Sequence, residues 1–216
     1  MGRSVNHAAG ARPAALVATA LACGLVAPAA QAQVSLGIGV GAVASSNLVT
    51  DSIVEVIAVR PRVAPQLTIR VERPLSGRYR VAGEVSVSHS SVMAHGDTST
   101  QVTGLTLWAP VIAIEAAATA WLGVEARLGA LIYHPGERES TLFSDGAPIA
   151  PTLGLGLRAE RGLTSGIRGS LQLRYDLHRF TTTRLRVRGF TGETVVHRVA
   201  LSVAIHRSLG RAPASR

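Results

Sequence analysis

The residues that could do chemistry are few and cluster by type. In "HSS", His89 to Ser91, an imidazole stands two residues from a hydroxyl, the arrangement in which His activates a Ser nucleophile. No acidic third member can be identified, so polar residues at a strand end are the expected reading. His89, His95 and Asp97 could hold a metal ion, but their spacing matches no standard ligand set. The carboxylates Glu84, Glu125 and Asp176 stand close to arginines, which suits ion pairs better than catalytic acids and bases. "RLRVR" places Arg184, Arg186 and Arg188 at alternate positions, where they could contact the phosphates of a polyanion or form a hairpin face held in water. "LGLGL" and "LGIGVG" have no helix signal after them and are read as strand glycines, not phosphate loops. The expectation is therefore a protein that is not an enzyme, with no cofactor and no metal.

The chain has 216 residues and a formal charge of +9, and every one of its 22 basic residues is arginine. The arginines are spread along the chain and form no dense run, so nucleic acid is not the expected partner. A polyanion at a membrane surface, such as lipopolysaccharide, fits a dispersed positive charge. The first 32 residues read as a signal peptide: Arg3 and Arg12, an apolar run from Ala14 to Val26, and Ala30 and Ala32 around a cleavage point after Ala32. The single cysteine, Cys23, lies in this leader. "ALAC" loosely resembles a lipobox, so lipidation of Cys23 stays open beside the plain reading of a tolerated apolar residue.

From Gln33 onward the hydrophobic pattern has period two, the signal of half-buried strands. Val59 to Glu72 sets Val59, Val63, Leu67 and Val71 against Arg60, Arg62, Gln66, Thr68, Arg70 and Glu72. Tyr79 to His89, Leu153 to Glu160, Gly169 to Phe180 and His197 to His206 show the same design, as do Val34 to Gly41 and Leu122 to Ile132. Thr100 to Trp108 is an eighth strand of ambiguous parity. Ala109 to Trp121 reads as a strand end, a turn near Glu115 and a strand start, with a short surface helix as the alternative.

The connections alternate in length. "PLSG", Pro74 to Gly77, and "RGLTSG", Arg161 to Gly166, are short. "SSNLVTDSI", "SSVMAHGDTS", His134 to Pro148 and Thr181 to Glu193 are long, the last read as an extended hairpin around Gly189 to Gly192. An up-and-down meander would put the short turns at one end and the long loops at the other, as in barrels of the outer membrane.

Charge placement points the same way. The polar faces carry arginines and carboxylates, and the opposite faces of the same strands are read as uncharged. Arginine on a lipid-facing wall costs roughly 2–4 kcal/mol at the bilayer midplane, and a closed barrel leaves no unsatisfied backbone edge in lipid. The polar side is expected to form a lumenal charge network of Arg60, Arg80, Glu84, Glu125 and Arg127, continued by Arg158, Arg168, Arg174, Asp176 and Arg198. Tyr79, Trp108 and Trp121 are expected as interface anchors near the short-turn end, and Tyr133 and Phe180 near the long-loop end.

With this pattern, length and leader, the sequence resembles the small eight-stranded outer-membrane barrels of the OmpA/OmpX type. The resemblance rests on no specific motif, and the chain departs from the usual aromatic ending by running on as "HRSLGRAPASR". It implies an all-β fold, an eight-stranded antiparallel up-and-down transmembrane β-barrel over 33–209, between the leader at 1–32 and a tail at 210–216. It also implies a monomer in contact with outer-membrane lipid, lipopolysaccharide and the outer-membrane assembly machinery. The expected role is structural or surface-interacting through long extracellular loops. A barrel enzyme acting on lipid, of the kind in which H-x-S serves lipid A deacylation, and a soluble secreted β-sandwich are the alternatives.

Overall fold

The structure, a computed structural model, describes residues 34–51, 57–96, 98–136, 148–187 and 194–209. The expected leader, the tail, Asp97 and Arg188 lie outside the described residues.

Alternation dominates the chain because each strand must satisfy two environments at once. The strands are β1 (Ser35–Ser45), β2 (Val49–Asp51), β3 (Ile57–Pro61), β4 (Ala64–Ser76) and β5 (Tyr79–His95). They continue as β6 (Ser99–Ala117), β7 (Leu122–Pro135), β8 (Ile149–Thr164), β9 (Ile167–Phe180) and β10 (Thr194–Ser208). A five-residue helix, α1 (Thr183–Val187), lies between β9 and β10. Among the described residues no helix is long and apolar enough to cross a membrane.

Eight strands, β1 and β4 to β10, form a ring in which every neighbour is antiparallel. The first strand closes on the last from Ser35↔Ser208 to Ser45↔Arg198. That closure removes the sheet edge. It also overturns the β-sandwich alternative, because one continuous ring has no second sheet to pack on. β2 and β3 extend the wall above β5 at the long-loop end.

Four details differ from the sequence reading. The single strand expected from Val59 to Glu72 is broken at Arg62 and Val63. β3 pairs with Val92–His95 of β5, β4 pairs with Tyr79–Ser88, and Arg62 N donates to Ser91 O at 2.9 Å between them. Val59 and Ala64 both face inward, so parity flips across the break. Pro61 and Pro65 lack the amide hydrogen a regular ladder needs, which favours a break here. Second, the turn expected near Glu115 lies at residues 118–121, and neither a turn nor a helix interrupts β6. There Ala118 N donates to Leu122 O at 2.8 Å, and Thr119 Oγ1 accepts from Leu122 N at 3.0 Å. Third, the long loop expected in "SSVMAHGDTS" is mostly strand, with β5 running to His95 and β6 starting at Ser99. Fourth, residues 183–187 are helix where a hairpin was expected.

Candidate functional site

The lumen divides into two layers. Toward the short-turn end it is ionic, and toward the long-loop end it is apolar. Glycines on the inner wall make room for the ionic layer: a Cβ on Gly123 would press on the Glu115 carboxylate, and one on Gly154 would strike Asp176.

Arg70 of β4 is the hub. Its guanidinium reaches Glu125 at 2.6 Å, Glu72 and Glu84 at 3.2 Å, and Glu115 at 3.4 Å. Arg158 of β8 spans to Glu72 at 2.6 Å and Glu115 at 2.8 Å, and also pairs with Glu160. Arg174 of β9 crosses to Glu84 on the opposite wall and donates to Gln66 Oε1 at 2.5 Å. Arg127 joins Glu84 at 2.9 Å, Glu125 at 3.1 Å and Asp176 at 3.4 Å. Nearer the mouth, Arg80 and Arg168 share Glu160 at 2.7 and 2.9 Å. Each charge buried here would be costly alone, and shared bidentate contacts are what make burial tolerable. An eight-stranded barrel is narrow enough for its own side chains to fill, and these straps cross its whole width. At the short-turn mouth a cavity of about 330 Å³ is lined by Ser35, Glu72, Arg80, Arg168 and Ser208 among others.

Above the ions, Leu105, Leu107, Leu131, Val196 and Phe180 pack with Tyr133 in an apolar cluster. Leu48 enters it from the first long connection and Leu185 from α1, so both close the lumen from the loop side. Tyr133 OH hydrogen-bonds His178 Nε2 at the base of this layer.

The structure places nine of the ten expected network residues in the lumen: Arg80, Glu84, Glu125, Arg127 and Arg158, with Arg168, Arg174, Asp176 and Arg198. All but Arg198 share ion pairs. Arg60 is the exception. It lies outside the wall after the parity flip, and its Nε donates to His95 Nε2 at 3.3 Å. Glu115, placed at a turn by the sequence, is instead a buried member of the network. Arg70, Glu72 and Glu160 were legible on polar faces, but nothing in their spacing marked Arg70 as the hub. The outer wall is not free of charge, as Arg62, Arg179 and Arg207 are exposed, but these stand at its two rims. Trp108 pairs with Val87 and Ile132, toward the long-loop end, and Tyr133 and Phe180 face the lumen, so these three are not the anchors expected.

His89 and Ser91 are not brought together, and Asp97 of the metal motif lies outside the described residues. His89 Nδ1 lies 2.9 Å from Thr106 Oγ1 on the outer wall, and no hydrogen bond joins it to Ser91. His95 is engaged by Arg60 and by Ser99 Oγ at 2.9 Å. Among the described residues no group of three candidate ligands could hold a metal ion. Arg186 is exposed on α1, and nothing is described of the side chains of Arg184 and Arg188.

No protein-family model and no curated protein matches the chain. Solved structures do match. The outer membrane protein AlkL superposes with a TM-score of 0.56 at 12% identity, covering 86% of this chain and 94% of AlkL. Neisserial surface protein A gives 0.53 at 12% identity, covering 83% and 99%. The outer membrane protein OprG from Pseudomonas aeruginosa gives 0.51 at 11%, covering 83% and 96%. The fold is that of the small eight-stranded outer-membrane barrels. In this barrel the closed ring and the filled lumen are properties of the chain's own residues, since so low an identity carries fold alone.

Proposed function

We propose that the chain is an integral protein of a bacterial outer membrane, a sealed barrel that anchors a surface-interacting loop end. The observation that carries this reading is the outer wall. Ile112, Leu128, Leu155 and Ile205 are each more than 60% exposed and belong to an apolar belt around the ring. Soluble monomers rarely expose apolar patches beyond a few hundred Å², whereas a barrel in lipid needs such a band.

The lumen supports an anchor and not a pore, because ion pairs fill one half and apolar side chains the other. Closure of the eight-stranded ring leaves no edge within it for a partner strand, which favours a monomer. The loop end supports contact with lipopolysaccharide or another polyanion: Leu185 fixes α1 to the barrel while Arg186 points out beside Arg184 and Arg188 in sequence. Passage through the outer-membrane assembly machinery follows from the same location. The geometry at His89 and Ser91 gives the lipid-enzyme alternative no support.

The test is fractionation of cells expressing the full chain, with the membrane fraction run boiled and unboiled on a denaturing gel. An outer-membrane band whose mobility shifts on boiling is expected. A soluble product with no shift would overturn the proposal.

A further inference from the structure

The cavity at the short-turn mouth lies where the wall is stepped. β1 starts at Ser35, paired with Glu72 on one side and Ser208 on the other. β4 runs on past that point through Arg73 and Pro74 to Ser76. The polar lining of this space of about 330 Å³ is three arginines, Arg73, Arg80 and Arg168, two serines, Ser35 and Ser208, and one carboxylate, Glu72.

The arginines face the open space and the carboxylates stand behind them. The side chains of Arg80 and Arg168 are 29% and 28% exposed, whereas those of Arg70, Arg127, Arg158 and Arg174 are at most 3% exposed. Glu72 is 2% exposed and Glu160 is 11% exposed. Arg80 and Arg168 both donate through Nη1 to one oxygen, Glu160 Oε2, so their guanidiniums stand side by side. No negative charge is left over at this mouth. Glu160 already serves Arg80, Arg158 and Arg168, and Glu72 serves Arg70, Arg158 and Arg168. Arg73, half-buried at the cavity edge, makes no ion pair with a described carboxylate.

We propose that this cavity binds a phosphate group carried on a small organic body, as a soluble ester or as a lipid headgroup. Guanidinium forks match phosphate oxygens in pairs. A phosphate offers enough oxygens to meet three guanidiniums at once, which the two oxygens of a carboxylate do not. The Ser208 hydroxyl supplies a further donor. A space of about 330 Å³ stands at the small end of ligand pockets, which run from about 300 to 1,000 Å³, and exceeds what bare phosphate fills. The site is at the opposite end of the barrel from α1, and it belongs to the folded ring whether or not the wall meets lipid.

The test is calorimetric titration of the folded protein in a maltoside detergent, which carries no phosphate. Glycerol phosphate should bind once per barrel. Arg73→Gln should weaken it about tenfold or more, the loss expected for one charge-assisted contact, and leave the urea midpoint unchanged. An arginine with a merely structural role would move the midpoint and not the affinity. Ser208→Phe fills the cavity from the end of β10 and should abolish binding. Arg186→Gln, at the other end, should leave it intact. Inorganic phosphate and phosphatidylglycerol in mixed micelles are titrated separately. A response to the soluble phosphates alone supports a soluble ester, and a response to phosphatidylglycerol alone supports a headgroup. No saturable heat with any of the three probes overturns the proposal. So does acetate binding as tightly as phosphate, full affinity in Arg73→Gln or Ser208→Phe, or lost affinity in Arg186→Gln.

Discussion

Arg158 on β8 grips Glu72 on β4 with both terminal nitrogens, at 2.6 and 3.1 Å, across the full width of the barrel. β4 and β8 are four steps apart in the ring in either direction, so this contact ties opposite walls together. Glu72 also serves Arg70 and Arg168. Removing its charge strands several guanidiniums, and breaking a buried pair typically costs about 3–5 kcal/mol. Glu72→Gln is expected to lose stability on that scale in urea unfolding of the folded barrel. Replacing both partners, Glu72→Leu with Arg158→Met, should be less damaging than the two single changes added together.

The outer wall gives a position-dependent prediction. Leu173 sits mid-strand between Leu157 and Leu201, and Val195 sits at the long-loop end beside Arg179. Leu173→Arg should cost about 2–4 kcal/mol in a lipid bilayer and Val195→Arg about 0–1 kcal/mol. Unfolding titrations in vesicles would measure both. Equal costs would argue that the wall does not face a hydrocarbon core.

Glycine placement can be tested by a pair of like substitutions. A Cβ on Gly41 would run into the backbone carbonyl of Leu201, which cannot move aside, whereas one on Gly162 would meet nothing within 4 Å. Gly41→Ala should destabilise by about 1–3 kcal/mol, the range for overpacking. Gly162→Ala should be close to neutral, as read by the urea midpoint.

Leu185 pins α1 into the apolar layer. Leu185→Asp should release the segment between β9 and β10 and speed its cleavage by protease in intact, folded protein. The boiled-against-unboiled gel shift should remain, because the ring does not depend on α1. Unchanged cleavage would mean that α1 is held by other contacts.

The strands were legible because period-two alternation is a local signal that burial on one face imposes. Gly169 to Phe180 shows it plainly: Leu171, Leu173 and Tyr175 are exposed on the wall, and Ser170, Gln172 and Arg174 are buried in the lumen. The failures have physical causes. Period two read unbroken through Pro61 and Pro65 puts Arg60 in the lumen, and a single extra residue at the break reverses every face beyond it. Glu115 was hidden by a run of alanines that carry no strand signal. The apolar upper lumen was not legible at all, since Leu105 and Leu107 facing inward look the same in sequence as leucines facing lipid. Which arginine meets which carboxylate depends on contacts across the ring, and these pairs lie 43 to 90 residues apart for Arg127, Arg158 and Arg174.

The most direct test is labelling of single cysteines along β9, with Cys23 in the expected leader as the only native thiol. A fluorophore is placed in turn at Ser170, Leu171, Gln172 and Leu173, and the protein is folded into vesicles that contain brominated lipid. Quenching by the lipid chains is expected at positions 171 and 173 and not at 170 and 172. Equal quenching at all four, or none at any, would contradict a barrel whose apolar wall meets lipid.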